Sequence, residues 1–339
     1  MGQLASLVAF AAVVVVAPLR AQAVIQTPKA TIEIIGLSRW TMKMVEDSLA
    51  KYGQDSLTAH ACAAILRQKL HFADASVSVF TNFPEYKFKN YVAITVVEPQ
   101  DSARIRYKPE LRDSLPVRAE WAEAYAAFNA NYEQAEHALQ TLSFYQATVS
   151  SADSARFAKV ELLHRLIVTK HDAAELASAI HTLDTDASVA NRVMAVFVLS
   201  TFTDHDVAWW TLMDAQRDPT GIVSGMSSTA LTMMSRRAPR TVDWRPMADR
   251  LRYLIDGTNL FAFGPTLAVL DATNVDRSLA STLLRDGATI IRARLRSGDV
   301  LGKRQAVSFL SKLSGLPATS SDADFLKWLD DLNADRRGT

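Results

Sequence analysis

A helical hydrophobic period that persists over two thirds of the chain is the feature that most constrains its fold. From residue 119 to the end, apolar side chains recur every three or four positions, with short polar interruptions. This spacing predicts amphipathic helices, and no segment here alternates with the period of two expected for a strand. We expect eleven or twelve helices over residues 119–339, among them Glu133–Val149 and Ala155–Lys170. Because each helix must bury its apolar stripe against another, this part is predicted to be all-α.

An internal repeat runs through these helices from Asp172 onward. Small residues recur at spacings of 35, 38 and 38 positions in the second helix of successive pairs: Ala195, Ala230, Ala268 and Ala306. A small residue there allows neighbouring helices to approach closely. Asp-rich turns separate the two helices of a pair at Leu183–Asp186 and Asp214–Pro219, and Leu313-Ser314-Gly315 ends the series. One departure is Gly264-Pro265, which predicts a kink or break in its helix.

This pattern resembles HEAT repeats, whose period is about 40 residues. The resemblance covers roughly residues 172–314 and implies that helix pairs stack into a curved solenoid. In such arrays the long concave surface is where partners usually bind.

The segment from residue 24 to residue 98 has a different period. Thr31–Ile34, Ser76–Val79 and Val92–Val96 alternate between polar and apolar residues as half-buried strands do. Between the first two, helical spacing predicts one helix from Thr41 to Gly53 and another from about Leu57 to Leu70. The order β-α-α-β-β predicts a two-layer α+β module in which both helices cover one face of a sheet.

The residues of this module resemble those of the POTRA domain. The resemblance rests on Ile32–Gly36 for the first strand and its glycine, Gly53 between the helices, Phe72 before the second strand, and Val96-Val97-Glu98 at the end of the third. It implies a protein-binding module that pairs a sheet edge with an extended segment of a partner. A structural cap for the helices is an equally open interpretation. A single copy is present and no β-barrel pattern follows, so a role in barrel assembly is not carried over.

Residues 99–118 read as a linker. Pro99, Pro109 and Pro116 punctuate a polar, charged stretch that marks a boundary between the two parts.

The first 23 residues read as a secretory signal peptide. Leu4–Leu19 is an apolar run, and Ala21-Gln22-Ala23 provides the small residues that predict cleavage after Ala23. The run is shorter than the roughly 20 residues that span a membrane, and no later segment is long and apolar enough to do so. We therefore expect a periplasmic or extracellular protein without a transmembrane segment. An uncharged start, Met1-Gly2-Gln3, leaves a buried or anchoring N-terminal helix as the alternative.

The composition and motifs of the chain limit which binding and catalytic functions we expect. A net charge of +1 provides no attraction to nucleic acid, and Cys62, the single cysteine, is predicted to be a buried core thiol. The seven histidines form no zinc motif, and there is no nucleophile elbow, phosphate loop or dinucleotide fingerprint. Asp204-His205-Asp206 reads as a helix start capped by Asp204 rather than a metal site. We predict no catalytic, cofactor-binding or metal-binding residues.

Five residues are candidates for partner binding. Trp209 and Trp210 are adjacent and face different directions, so one is expected in the core and the other as a possible anchor. Arg236, Arg237 and Arg240 begin a segment, residues 236–304, with 13 Lys or Arg against 7 Asp or Glu. This excess forms either a basic ridge for an acidic partner or a solvated surface with neutralising neighbours.

Three functions follow as hypotheses. The preferred one is an exported, non-enzymatic protein-binding scaffold that uses the POTRA-like module and the helical-repeat surface. The second is a hydrolase-type enzyme with an unrecognised site between the two parts, which a pocket gathering several carboxylates or histidines at that place would favour. The third is a purely structural envelope protein.

Overall fold

The computed structural model describes residues 23–53, 57, 61–81, 84, 87, 89–105, 107–115, 119–130, 171–256 and 260–334. Within these residues the fold is mixed α+β, with one four-stranded sheet near the N-terminus and thirteen α-helices. The elements of the first part are β1 (Ala23–Gln26), β2 (Ala30–Ile35), α1 (Met42–Ala50), α2 (Ala61–Gln68), β3 (Asp74–Phe80) and β4 (Asn90–Val97). A 3-10 helix, Pro99–Arg104, follows.

The remaining elements are all helical. They are α3 (Ala119–Ala130), α4 (Ala173–Thr185), α5 (Val189–Leu199), α6 (Asp206–Ala215), α7 (Gly221–Arg237), α8 (Ala248–Asp256), α9 (Leu260–Ala272), α10 (Arg277–Gly287), α11 (Thr289–Arg296), α12 (Val300–Ser314) and α13 (Asp322–Ala334). The helical period of the sequence is thus confirmed for the described residues after 119. The predicted helices Glu133–Val149 and Ala155–Lys170 lie outside them.

The sheet has the strand order β1-β2-β4-β3, with β2 parallel to β4 and the outer pairs antiparallel. The predicted β-α-α-β-β order is therefore present, and β1 adds a strand that the sequence pattern missed. Ala23 of β1 pairs with Ile34, although the sequence places it at the predicted cleavage position.

One face of the sheet carries α1 and α2, as predicted. Alternate residues of the two central strands, among them Ile32 and Ile34 of β2, pack with Val45, Leu49 and Leu66 of the helices into one buried cluster. The Cys62 thiol lies in the same core, as predicted, and burial raises its pKa to about 11.

Glu98, just after β4, links the sheet to the segment that precedes α1. Its buried carboxylate accepts hydrogen bonds from the backbone N–H groups of Ser38, Arg39 and Trp40, at 2.7 to 3.0 Å, and from the Ser38 hydroxyl. The end of β4 is thereby tied to the turn that leads into α1. Burial by itself raises the pKa of Glu98, but these hydrogen bonds outweigh it and lower the pKa below its ordinary value.

The prediction of a two-layer module is wrong in one respect, because the second face of the sheet is also covered. Ile35, Tyr91 and Ala93 are buried there against Ala293 of α11. Glu33, which alternation predicts to face solvent, is only 1% exposed. Alternation within a strand identifies two faces, but it does not reveal that a helix more than 250 positions later covers the second one.

The helices after residue 170 contact one another in two rows. As labels only, we call one row the inner row, which runs α5, α7, α9, α12, and the other the outer row, which runs α4, α6, α8 and then α10 and α11, with α13 beyond them. Each helix of the inner row contacts the next one, α4 contacts α6, α6 contacts α8, and α8 contacts both α10 and α11. Successive helices of a pair also touch. All four inner helices contribute to one continuous buried core.

The predicted Asp-rich turns organise successive pairs. Asp186 accepts a hydrogen bond from the backbone N–H of Ser188 at 2.8 Å, and Asp218 does the same for Thr220 at 2.8 Å. The buried guanidinium of Arg192 on α5 donates to Asp218 at 3.0 Å, which links one pair to the next turn.

Helix α9 runs without a break through Gly264-Pro265, so the predicted break is wrong. Gly264 instead permits close approach, since a Cβ there would collide with the Gln305 side chain of α12. Among the repeat alanines, Ala195, Ala230 and Ala306 are buried as expected, whereas Ala268 is exposed on the inner row.

The predicted linker is an ordered strap along the described residues 107–115. Lys108 donates its backbone N–H to the Arg217 carbonyl at 2.9 Å, and the Asp113 carbonyl accepts from Ala187 at 2.9 Å. The Leu115 N–H donates to Asp186 at 3.2 Å. The strap therefore follows the turns that join α4 to α5 and α6 to α7.

Candidate functional site

Five polar residues meet where the second face of the sheet contacts the turn between α11 and α12. We call them the sheet–helix cluster: Glu33, Tyr91, Thr95, Arg294 and Asp299. The Tyr91 hydroxyl and the Gly298 N–H donate to the same Glu33 oxygen at 2.6 and 2.8 Å. Arg294 donates to Thr95 at 2.9 Å and forms an ion pair with Asp299.

Local sequence explains how each side chain reaches this cluster. Parallel pairing of β2 with β4 places Glu33, Tyr91 and Thr95 on the same sheet face. Arg294 lies on the buried side of α11, where its guanidinium is 5.7 Å from the centroid of the Phe263 ring. Asp299 also caps α12 by accepting from the Gly302 N–H at 3.0 Å.

Burial dominates the electrostatics of the sheet–helix cluster. Desolvation raises the pKa of Glu33 despite the hydrogen bonds from Tyr91 and Gly298, and the negative charge of Asp299 acts in the same direction. Desolvation lowers the pKa of Arg294, while the Asp299 carboxylate opposes that shift. Because the hydrogen bonds run mainly between its own members, the arrangement favours holding the sheet against the helices over contacting a substrate.

The second candidate lies on the inner row, between α9 and α12. We call it the inner groove, a depression of about 270 Å³. It is lined by Leu267, Ala268, Asp271, Arg304, Gln305, Ser308 and Phe309.

The shape of the inner groove follows from side-chain size. Ala268 and Ser308 are exposed and too small to fill the space between the helices, whereas Leu267 and Phe309 are buried and form its apolar floor. Asp271 at the rim forms an ion pair with Lys312 at 2.7 Å. At this volume the groove falls just below the roughly 300 Å³ at which small-molecule pockets begin, so it suits a single large side chain of a partner.

The structure brings Trp209, Trp210 and Arg240 together around the start of α6. Trp209 is fully buried and donates its indole N–H to the Thr203 carbonyl at 2.9 Å, and Arg240 donates to the same oxygen at 3.2 Å. Trp210 is half-buried and donates to the Asp243 carbonyl at 2.9 Å. Both indoles therefore serve the packing of α6, with Trp209 as the core member of the pair.

Six arginines of the basic segment, residues 236–304, form ion pairs with carboxylates. Arg240 pairs with Asp206 at 2.6 Å, and further pairs in this segment join Arg245 to Asp243, Arg250 to Asp214, Arg252 to Asp249, Arg292 to Asp330 and Arg294 to Asp299. Arg236 and Arg237 are exposed in the last turn of α7. Charge counting within the segment misses Asp206, Asp214 and Asp330, because these three partners lie outside it.

The start of α6 differs from the prediction. His205, not Asp204, is the N-cap residue, and the Asp204 carboxylate instead lies 2.7 Å from Nδ1 of His205. That contact lowers the pKa of Asp204. Throughout the described part of the chain, no group of three or more His, Cys, Asp or Glu side chains is placed to hold a metal ion.

No described helix combines the length and the apolar character that crossing a bilayer requires. Sequence reasoning missed Glu33, Thr95, Arg294 and Asp299, because their significance depends on contacts between distant segments. The aligned Ala268 was noted, but as a packing residue rather than as part of a groove.

Comparisons with family models, curated proteins and solved structures found no match to this chain.

Proposed function

We propose that this chain is an exported, non-enzymatic protein-binding scaffold whose partners dock on the inner row of helices. In this proposal the helical part is a HEAT-like solenoid and residues 24–98 are a POTRA-like module. The inner groove carries the proposal, because it offers an apolar floor with polar groups at its rim. In this proposal the inner row forms the concave surface that such arrays use for binding.

The contents of the groove favour a protein ligand. Interfaces between proteins draw most of their affinity from a few large side chains seated in desolvated pockets. Leu267 and Phe309 supply the floor of such a pocket, and Gln305 and Ser308 supply hydrogen-bonding groups at its edge. We infer that the occupant is a large apolar side chain on a partner's exposed segment, flanked by polar residues.

Contacts between the two parts support a scaffold of fixed geometry. The sheet–helix cluster holds β2 and β4 against α11, and the strap lies against the turns of the helical part. A partner that touches both parts would thus meet a preformed surface and lose less conformational entropy on binding.

Site-specific photo-crosslinking tests this proposal. A photoreactive phenylalanine analogue at Ser308, in the groove, should give discrete protein adducts in cells that produce the chain. The same analogue at Thr282, exposed on α10 of the outer row, serves as the matched control. Equal adduct patterns from both positions, or no adducts from Ser308, would contradict the proposal.

One observation favours an enzyme as the second candidate. The sheet–helix cluster gathers two carboxylates, a guanidinium and a phenol between the two parts of the chain. Glu33, with its raised pKa, has the protonation behaviour of a general acid. Its 1% exposure opposes this candidate, since a substrate has to reach the proton. Hydrolysis of a panel of ester, amide and glycoside reporters that is lost in Glu33→Gln would favour the enzyme.

A further inference from the structure

Three cations surround one carboxylate on the outer row of helices. The Nε atoms of Arg217, just after α6, and of Arg250, on α8, lie within ion-pair distance of the same oxygen of Asp214, at 3.1 and 3.3 Å. Lys108 of the strap approaches the other oxygen of Asp214 at 3.5 Å and also pairs with Asp184 at 2.7 Å. We call these five residues the Asp214 cluster.

The Asp214 cluster has more positive than negative groups. Its three cations face two carboxylates, and Asp214, Lys108 and Arg217 are largely buried, with side-chain exposures of 12%, 11% and 15%. Two guanidinium groups that share one carboxylate oxygen repel each other, and partial burial weakens the screening of that repulsion by water. A further anion placed between them would therefore be stabilised.

The arginines retain donors for such an anion. Among the described residues, Arg217 makes no hydrogen bond through its terminal guanidinium nitrogens and stacks at 5.6 Å over the Tyr253 ring. Arg250 donates through one terminal nitrogen only to the sulfur of Met247, at 3.5 Å, and its side chain is 50% exposed. With Nε of each arginine beside Asp214, the terminal N–H groups are left to bind a carboxylate.

We propose that the Asp214 cluster is a second binding site, separate from the inner groove, that captures an acidic side chain of a protein partner. The cluster has one more positive group than negative groups, so a single carboxylate would neutralise it. A phosphate monoester carries close to two negative charges and would leave an excess of negative charge. Lys108 makes the site dependent on the strap, because its Nζ bridges Asp184 and Asp214.

Fluorescence anisotropy of a labelled tetraglutamate peptide tests this proposal on the full chain at low salt. Wild type should bind tetraglutamate and not tetraglutamine, and 0.5 M NaCl should weaken binding. The double variant Arg217→Met/Arg250→Met should bind at least about tenfold more weakly, since it loses the charge-assisted hydrogen bonds to the peptide carboxylate. Arg245→Met, which removes an exposed arginine already paired with Asp243, is the control and should bind as wild type does.

Three outcomes would overturn the proposal. The first is that the double variant binds tetraglutamate like wild type although circular dichroism shows it folded, and the second is that tetraglutamine binds as well as tetraglutamate. In the third, inorganic phosphate displaces the peptide at a lower concentration than free glutamate does, which would assign the site to phosphate. Failure of this proposal is distinguishable from failure of the proposed inner-groove binding. The variant Ser308→Trp changes the inner groove and should leave tetraglutamate binding unchanged.

Discussion

Arg294 donates a hydrogen bond to Thr95 across 199 positions of sequence, with 2.9 Å between Nη2 and Oγ1. The same guanidinium pairs with Asp299, and both charged side chains are almost completely buried. Helix α11 thus carries a buried cation whose partners come from the residue that caps the next helix, α12, and from a central strand of the sheet. This relationship joins the two parts of the chain.

Removing the charge of Asp299 is expected to destabilise the fold strongly. In Asp299→Asn the buried Arg294 loses its counter-charge, and breaking such a pair usually lowers the free energy of unfolding by about 3–5 kcal/mol. Urea unfolding followed by circular dichroism measures the loss. Asp243→Asn, which removes one partner of an exposed pair with Arg245, is the control and should leave the midpoint unchanged.

Replacing both partners tests the cause of that loss. In Arg294→Met/Asp299→Leu no buried charge remains, so the double variant should be more stable than Asp299→Asn. A double variant that is no more stable than Asp299→Asn would show that geometry, not uncompensated charge, controls this site.

Glu33 should make the fold less stable as pH rises. Its pKa is raised in the folded chain, so the folded state holds a proton that the unfolded state has already released. Its contribution is therefore complete below the unfolded pKa, near 4.5, and is lost as pH rises through the higher folded pKa. Glu33→Gln mimics the protonated form, and its unfolding free energy should not fall in this window. Parallel pH profiles for the two proteins would contradict this prediction.

Glu98 should have the opposite effect. Its pKa is lowered in the folded chain, because hydrogen bonds from residues 38–40 and 100 outweigh burial. Its contribution is present above the unfolded pKa and is lost as pH falls through the folded pKa. Glu98→Gln should reduce stability at neutral pH and flatten the loss on acidification, as measured by thermal unfolding between pH 3 and pH 7. Retention of the wild-type acid sensitivity would point to other carboxylates.

Gly36 and Gly53 should respond differently to alanine. Both have positive φ, 102° and 71°, but a Cβ at Gly36 would collide with the Val96 carbonyl oxygen, whereas at Gly53 nothing lies within 4 Å. We expect Gly36→Ala to lower the free energy of unfolding by at least about 2 kcal/mol, since backbone strain and a collision combine. Gly53→Ala should cost about 1 kcal/mol. Equal losses in chemical denaturation would show that the collision is relieved at little cost.

Local sequence patterns predicted most of the helices and strands, but they did not predict the contacts between them. The order of strands and helices between Ala30 and Val97 follows from hydrophobic period, and Thr41 caps α1 where the helix was expected to begin. Strand β1 was missed because four residues are too few to establish a period. The burial of Glu33 was not predicted, because alternation shows which residues share a sheet face but not what packs against that face.

The candidate sites were harder to predict for the same reason. The adjacent positions of Trp209 and Trp210 correctly indicated one core residue, because adjacent side chains on a helix diverge by about 100°. The arginines between residues 236 and 304 suggested a ridge, but pairs such as Arg240 with Asp206 depend on tertiary contacts. Sites built from distant segments leave no period or spacing in the sequence.

The bond from Gly298 to Glu33 spans 265 positions, and it has a consequence for the order of folding. Closing that loop costs about 1 kcal/mol more chain entropy than the 58-position loop between Glu33 and Tyr91. The strands can therefore pair with one another first. The sheet face that carries Ile35 and Ala93 stays exposed to water until α11 has been synthesised and packs against it. A chain interrupted before residue 289 would leave that apolar face exposed and prone to aggregation.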